Sequence, residues 1–177
     1  MSSTLNSYWE LVRPLLSTVD YGNGPEDFAA SSALIPRPHL HLFAAHMCLA
    51  EIHNGGLLQL FWNTTGILVP EGVEGFRVVK MPNMALLLEQ AALLLGATYP
   101  RDRDERWDAL LTASGRKPKD LEKVFKKAEN FYLGFAEATA NLSFDWLNKK
   151  LWELAETEHG GFQDAATEYA NGLQLFQ

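Results

Sequence analysis

Histidine, cysteine and side-chain amides are the residue types in this sequence best suited to chemistry, and their spacing decides what they could do. His39, His46 and His53 recur every seven residues, so on a helix they project from one side. Seven residues rise roughly 10 Å, too far for neighbours to share one metal ion. His39 and His41 lie two apart and point to different sides. No His-x3-His or Glu-x-x-His pair at ligand spacing stands near them, so no metal site is expected. Cys48 is the single cysteine, which excludes an internal disulfide and a cysteine metal cage. It lies in "FAAHMCLAE", an apolar helical run, and reads as a buried, inert thiol. A Gly-x-Ser-x-Gly nucleophile signature is absent, and "GNG" at Gly22 to Gly24 is too short for a phosphate loop. No catalytic residue is assigned and no cofactor is expected. The balance stands against an enzyme, with an unusual site in a helical cleft left open.

The amides give a sharper signal. In "EIHNGGLLQLFWNTTG", Glu51 to Gly66, an apolar segment carries Gln59 in its middle, Asn54-Gly55-Gly56 before it and Asn63-Thr64-Thr65 after it. A helix that is apolar all round is a buried one, so Gln59 must meet a polar partner. The carbonyls ending the preceding helix and the loop at Asn63-Thr64-Thr65 are the nearest candidates. Asn54, Gly55 and Gly56 permit a sharp corner, and Asn63 and the threonines can bond local amides. A structural corner explains all these residues. The competing reading is a small polar ligand site built from Asn54, Gln59 and Asn63.

The elements that position these groups are helical. Apolar residues repeat at helical spacing almost throughout, and no segment alternates over a strand's length. Leu5, Tyr8, Trp9, Val12, Leu15, Leu16 and Val19 form a first stripe, with a kink or early end expected at Pro14. Pro25, followed by Glu26 and Asp27, starts a helix; a longer one begins near Pro38 and stops at Asn54-Gly55. A short helix is expected over residues 71–80, with a strand as the alternative, then helices closed by Gly96 and Gly115. From Pro118, a stripe through Val124, Phe125, Phe131, Phe135 and Leu142 predicts one helix of about six turns. Ser143 should cap the next helix, ending at Gly160-Gly161, before a last helix with Phe162, Ala165, Ala166 and Tyr169 inward. Tryptophans and phenylalanines read as core. The expectation is an all-α protein of eight to ten helices in a single globular domain spanning residues 1–177.

Hydrophobic residues make up 47% and charged residues 21% of the 177 residues, a balance that supports a proper core. The N-terminus lacks a basic start followed by a long apolar core, and no apolar run approaches the ~20 residues that cross a bilayer. A reducing cytoplasm is expected. With 15 basic and 22 acidic side chains the formal charge is −7, which disfavours direct binding to nucleic acid and suits a basic partner.

The pattern Glu…Asn-Gly-Gly-x-x-Gln-x-Phe-x-Asn-x-x-Gly, carried by Glu51, Asn54, Gly55, Gly56, Gln59, Phe61, Asn63 and Gly66, resembles the signature of a bacterial family of DNA-mimic proteins, a domain of unknown function. Leu57 stands where that family usually has Phe. The likeness covers about residues 38–157, continuing through "PNMALLLEQAALLLGATYPRDRDERWDAL" and "FDWLNKKLWELAE". It implies an all-helical fold and a non-enzymatic, protein-binding role.

The charge distribution bears on such a role. Carboxylates that imitate phosphates must be dense, since duplex charges recur every ~1.7 Å of axis. From Gly115 to Asn130, six Lys or Arg face three acids, giving a net +3. Only residues 151–177 are one-sided: Glu153, Glu156, Glu158, Asp164 and Glu168 are joined by no Lys or Arg. These five form the candidate protein-binding patch, modest beside a duplex. The expected function is occupation of a basic regulator or toxin-like protein; the alternative is a ligand-binding or enzymatic domain at the Asn-Gly-Gly corner.

Overall fold

The computed structural model describes residues 7–174. The first helix, α1 (Trp9–Val12), passes at once into a 3-10 turn (Arg13–Ser17) at Pro14. Proline lacks the N–H a continuing helix needs, so the expected early end occurs. Leu5 of the expected stripe lies outside the described residues, while Val12 and Val19 are buried. Helix α2 (Pro25–Ser32) begins at the expected proline, with Glu26 and Asp27 in its first turn.

Helix α3 (Arg37–Trp62) is the axis of the fold, and α1, α4 (Val69–Val78), α6 (Arg103–Ala113) and α9 (Asp145–Thr157) pack against it. Its buried residues include Leu42, Phe43, Ala44, Ala45, Cys48, Ile52, Leu57, Leu60 and Phe61, so it is apolar on most sides. The predicted stop near Asn54-Gly55 appears as a break. Gly55 sits at φ −156°, ψ 15° and Gly56 at φ 77°, ψ −171°, so the chain leaves helical geometry and re-enters it at Leu57. The positive φ at Gly56 favours glycine, and a Cβ there would stand 2.5 Å from Asn148 Nδ2.

The segment around 71–80 is the helix α4, not a strand. Its two glycines explain how closely it lies on α3. A Cβ on Gly75 would overlap the His41 carbonyl oxygen and stand 2.7 Å from Ala45 Cβ, and one on Gly72 would stand 2.6 Å from Cys48 Sγ. Helix α4 ends with Lys80 at φ 63°, and Met81 N–H donates to Phe76 O at 2.8 Å. This six-to-one bond is the Schellman closure, with lysine where glycine is usual. Helix α5 (Pro82–Ala92) runs through a 3-10 turn to Gly96, as expected. Asp102 caps α6 by accepting from Asp104 N–H at 2.8 Å and Glu105 N–H at 3.2 Å.

The region after Pro118 differs from the expectation of one long helix. Helices α7 (Pro118–Lys127) and α8 (Phe131–Thr139) are separate and fold back on one another. Asn130 is the cause: its backbone is extended and its Oδ1 accepts from Leu133 N–H at 3.0 Å, an N-cap in mid-stripe. Gly134 admits the partner helix, since a Cβ there would meet Phe125 Cδ1 at 2.7 Å. Ser143 also departs from its expected role. Its hydroxyl donates to Asp145 Oδ2 at 3.1 Å, and Phe144 occupies the N-cap position of α9 without a side-chain bond. Helix α10 (Phe162–Gln174) buries Phe162, Ala165 and Ala166, with Tyr169 half-buried. The tryptophans are less internal than expected, for Trp146 is 64% and Trp152 51% exposed.

Among the described residues the protein is an all-helical single domain of ten α-helices and four short 3-10 turns, without a strand. No helix among them is long and apolar enough to cross a membrane. The α3–α4 contact gives a direct test. Gly75→Ala should lower stability by about 1–3 kcal/mol in urea denaturation, the usual cost of overpacking. Gly172→Ala, where a Cβ meets nothing within 4 Å, should instead gain up to about 1 kcal/mol of helix propensity. An unchanged midpoint for Gly75→Ala would refute the close approach.

Candidate functional site

Glu51 lies one turn before the break in α3, and its half-buried carboxylate organises the corner. Gln59 Nε2 donates to Oε2 at 2.7 Å, Asn63 Nδ2 to the same oxygen at 2.9 Å, and Thr65 Oγ1 to Oε1 at 2.8 Å. Gln59 therefore finds its partner in an acidic side chain, not in the helix-end carbonyls or the Asn-Thr-Thr loop. Gly55 is small because the Gln59 side-chain oxygen occupies the place of its Cβ. Leu57 N–H, left without a helical acceptor by the break, donates to Asn148 Oδ1 on α9 at 2.9 Å. Asn54 is exposed, and its side chain meets no partner among the described residues.

The carbonyls closing α3 are met by a second set of side chains. Arg106 is only 1% exposed. Its Nε donates to Phe61 O at 3.0 Å, one terminal nitrogen to Asn63 O at 2.9 Å and the other to Arg101 O. Burial holds this guanidinium below its ordinary pKa. Arg103 Nε and Trp107 Nε1 both donate to Trp62 O, at 3.1 and 3.0 Å. Tyr99 OH donates to Gly66 O at 2.9 Å, and burial pushes its pKa up. Arg101 donates to Ile67 O and forms a two-pronged pair with Glu71 at 2.8 and 2.9 Å. The mixed-charge stretch "RDRDERWD" is thus the cap of the central helix.

Around the corner lies a depression of about 270 Å³ whose walls are chiefly Leu58, Trp62, Phe135 and Ala136, with Gly55 and Gln59 at its edge. It is apolar, and the amide nitrogens of Gln59 and Asn63 are turned to Glu51. The geometry is that of a closed hydrogen-bonded turn.

The five C-terminal acids do not act alike. Glu153 pairs with Lys150 at 2.8 Å, and that bond lowers its pKa. Glu168 accepts from Lys80 at 2.6 Å and lies 3.2 Å from His159, and these two bonds lower its pKa. Glu158 caps α5: Oε1 accepts from Asn83 N–H at 2.9 Å and Oε2 from Met84 N–H at 3.0 Å. Glu156 and Asp164 meet no hydrogen-bond or ion-pair partner among the described residues. Both line a cleft of about 450 Å³ where the α9–α10 turn passes over α3.

Two of the seven-spaced histidines, His46 and His53, line the same cleft. Tyr8 OH and His46 Nδ1 are hydrogen-bonded at 2.8 Å; burial pushes the Tyr8 pKa up to about 12 and the His46 pKa down. His53 meets Trp152 edge-on at 5.8 Å. His39 is apart from them, with a buried Nδ1 that has no partner. Cys48 is fully buried, and burial raises its pKa. Among the described residues no group of three or more His, Cys, Asp or Glu is placed to hold a metal ion.

Sequence reasoning missed Glu51, Arg106 and Asn148 as working parts of the corner, and it gave Thr65 local amides as partners where the hydroxyl donates to Glu51. A signal for the first existed: Glu51, Gly55, Gln59 and Asn63 recur every fourth residue, the spacing of neighbours on one helix face. Replacing the carboxylate should expose its role. Glu51→Gln should cost about 1–3 kcal/mol in chemical denaturation, because a buried donor loses its acceptor. Asn63→Ala should then cost less in that background than in the wild type, the coupling expected within one network. Strict additivity would show that the three donors do not share Glu51.

No curated protein and no solved structure matches the chain significantly. A sequence model described as DMP19-like protein matches residues 33–173, wider at both ends than the span read from the motif and inclusive of every residue of the Glu51 network, its α9 support and the five C-terminal acids. On that match the chain belongs to the DMP19-like protein family.

Proposed function

We propose that the protein is a non-catalytic interaction module that occupies a basic protein, a nucleic-acid-binding regulator or a toxin-like effector, through the acidic face of α9 and α10. The observation that carries this reading is the pair of unpartnered carboxylates, Glu156 and Asp164, within a stretch free of Lys and Arg. Membership of a family named for a DNA mimic supports a protein partner. The net charge of −7 would steer a basic surface toward this face and speed association, an effect that salt weakens. The alternative, a ligand site at Asn54, Gln59 and Asn63, has less support because two of its three amides already donate to Glu51.

Affinity capture of the tagged protein from its own cell lysate at low and moderate salt, with mass spectrometry, tests the reading. A stoichiometric basic protein that is lost as salt rises is the expected result. Reversal of Glu153, Glu156 and Glu168 to Lys should weaken that complex severalfold. Unchanged affinity in the reversal variant would move the binding face elsewhere.

A further inference from the structure

Glu156 and Asp164 do more than add charge to a surface, because the turn between α9 and α10 sets them at a concavity. His159, Gly160 and Gly161 take φ of 51°, 82° and 95° in succession, a run of left-handed residues that reverses the chain within three positions. The reversal is tight: a Cβ on Gly161 would stand 3.1 Å from Glu156 O. It brings the end of α9, with Glu156, and the first turn of α10, with Asp164, to opposite sides of one chain reversal. The floor is the face of α3 that carries His46, Leu49, Ala50 and His53. The volume of about 450 Å³ is that of a ligand pocket, not of a surface wrinkle.

The lining specifies the occupant. Two carboxylates without partners give the cleft negative charge, and no Lys or Arg lines it to offset them. The imidazoles of His46 and His53 are planar and reachable, His46 half-buried and His53 exposed. Trp9, 5.0 Å from His46, and Trp152, 5.8 Å from His53, brace them from outside the cleft. A flat cation that can bond a carboxylate with two parallel N–H groups while resting on a ring fits this set better than a compact ammonium.

We infer that the cleft between α3 and the α9–α10 turn receives an arginine side chain of the partner, its guanidinium held by Glu156 and Asp164. The inference rests on the acidic-face reading above and gives that face an anchor point. Glu153, Glu158 and Glu168 have no part in the anchor, since each already serves another group.

N-acetyl-L-arginine amide is the probe, titrated into the full chain at constant ionic strength and followed by NMR at the imidazole resonances, with N-acetyl-L-lysine amide in parallel. Saturable shifts of His46 and His53 are expected, with a dissociation constant on the order of millimolar for so small a ligand. The lysine derivative should bind more weakly. Glu156→Gln with Asp164→Asn should weaken binding at least tenfold, whereas Asp120→Asn with Glu122→Gln, which remove the same charge from exposed and already paired acids on α7, should leave it unchanged. Failure to saturate in the wild type, or binding that survives the first double variant, overturns the inference. Capture of the basic partner by that same variant, undiminished and still salt-sensitive, also overturns it while leaving the acidic-face reading intact. An empty capture by the wild type is the separate result that removes the reading itself.

Discussion

The fold depends on how a helix can be broken inside a core without leaving polar groups stranded. A break in α3 removes helical acceptors and donors from a segment whose neighbours are Leu57, Leu60 and Phe61, where water cannot substitute. Groups from elsewhere resolve the break and the helix end that follows it. At the break, Asn148 reaches from α9 to the Leu57 N–H and Trp152 to the Ile52 carbonyl; where α3 closes, Arg106 reaches from α6 to the carbonyls of Phe61 and Asn63; and Glu51 gathers the side chains of Gln59, Asn63 and Thr65. The Gln59–Glu51 bond joins the two arms of α3, and the others tie α3 to an element distant in sequence or to the turn that follows. The positions of α6 and α9 are therefore set by hydrogen-bond satisfaction as much as by apolar packing. Gly66 shows how exact the fit is, since a Cβ there would fall 2.7 Å from both Arg106 Nε and Leu60 O.

This constraint accounts for the motif that resembles the family signature. Glu51 accepts, Gln59 and Asn63 donate, Gly55 makes room for the Gln59 amide, Gly56 takes the positive φ, and Gly66 lies beneath Arg106. Phe61 fills the core between Tyr99 at 6.2 Å and Phe144 at 5.9 Å. Almost every residue of the pattern serves the corner. A surface that meets a partner must then be built largely from other residues, which is why the motif identifies the fold far better than it identifies what is bound.

The helices were legible because their signals are local. Proline at the starts of α2, α5 and α7, Gly96 and Gly115 at helix ends and apolar periodicity between them need no knowledge of tertiary structure. The α7–α8 division was missed because Val124 and Phe131, seven residues apart, keep helical spacing across it. Asn130 is a cap only when the chain before it has already left the helix, and Gly134 reads as tolerable until Phe125 is known to lie against it. The site was legible by composition and not by geometry. Gln59 required a partner, and the four-residue spacing of Glu51, Gly55, Gln59 and Asn63 pointed to Glu51, but on an unbroken helix that acid stands about two turns away from Gln59, out of reach without the break. Likewise five acids without Lys or Arg in their own stretch said nothing of Lys80, which reaches Glu168 from the end of α4.

The partners of those acids sort them by what a basic protein could do to each. Glu158 is fixed, because withdrawing it would strip the N-terminus of α5 of its acceptor for two backbone N–H groups. Glu153 and Glu168 are exchangeable: their lysine partners are exposed, such surface pairs contribute little to folding, and an incoming cation can replace Lys150 or Lys80 without disturbing the core. Glu156 and Asp164 are free and pocketed. A partner approaching this face would first feel the summed charge, then find two carboxylates that need no displacement and two more that yield a lysine. Each displaced lysine would add positive charge beside the newcomer, so the exchangeable acids should contribute less to affinity than their number suggests. On the proposed acidic-face reading, the strength of the face would be concentrated where the chain turns from α9 to α10.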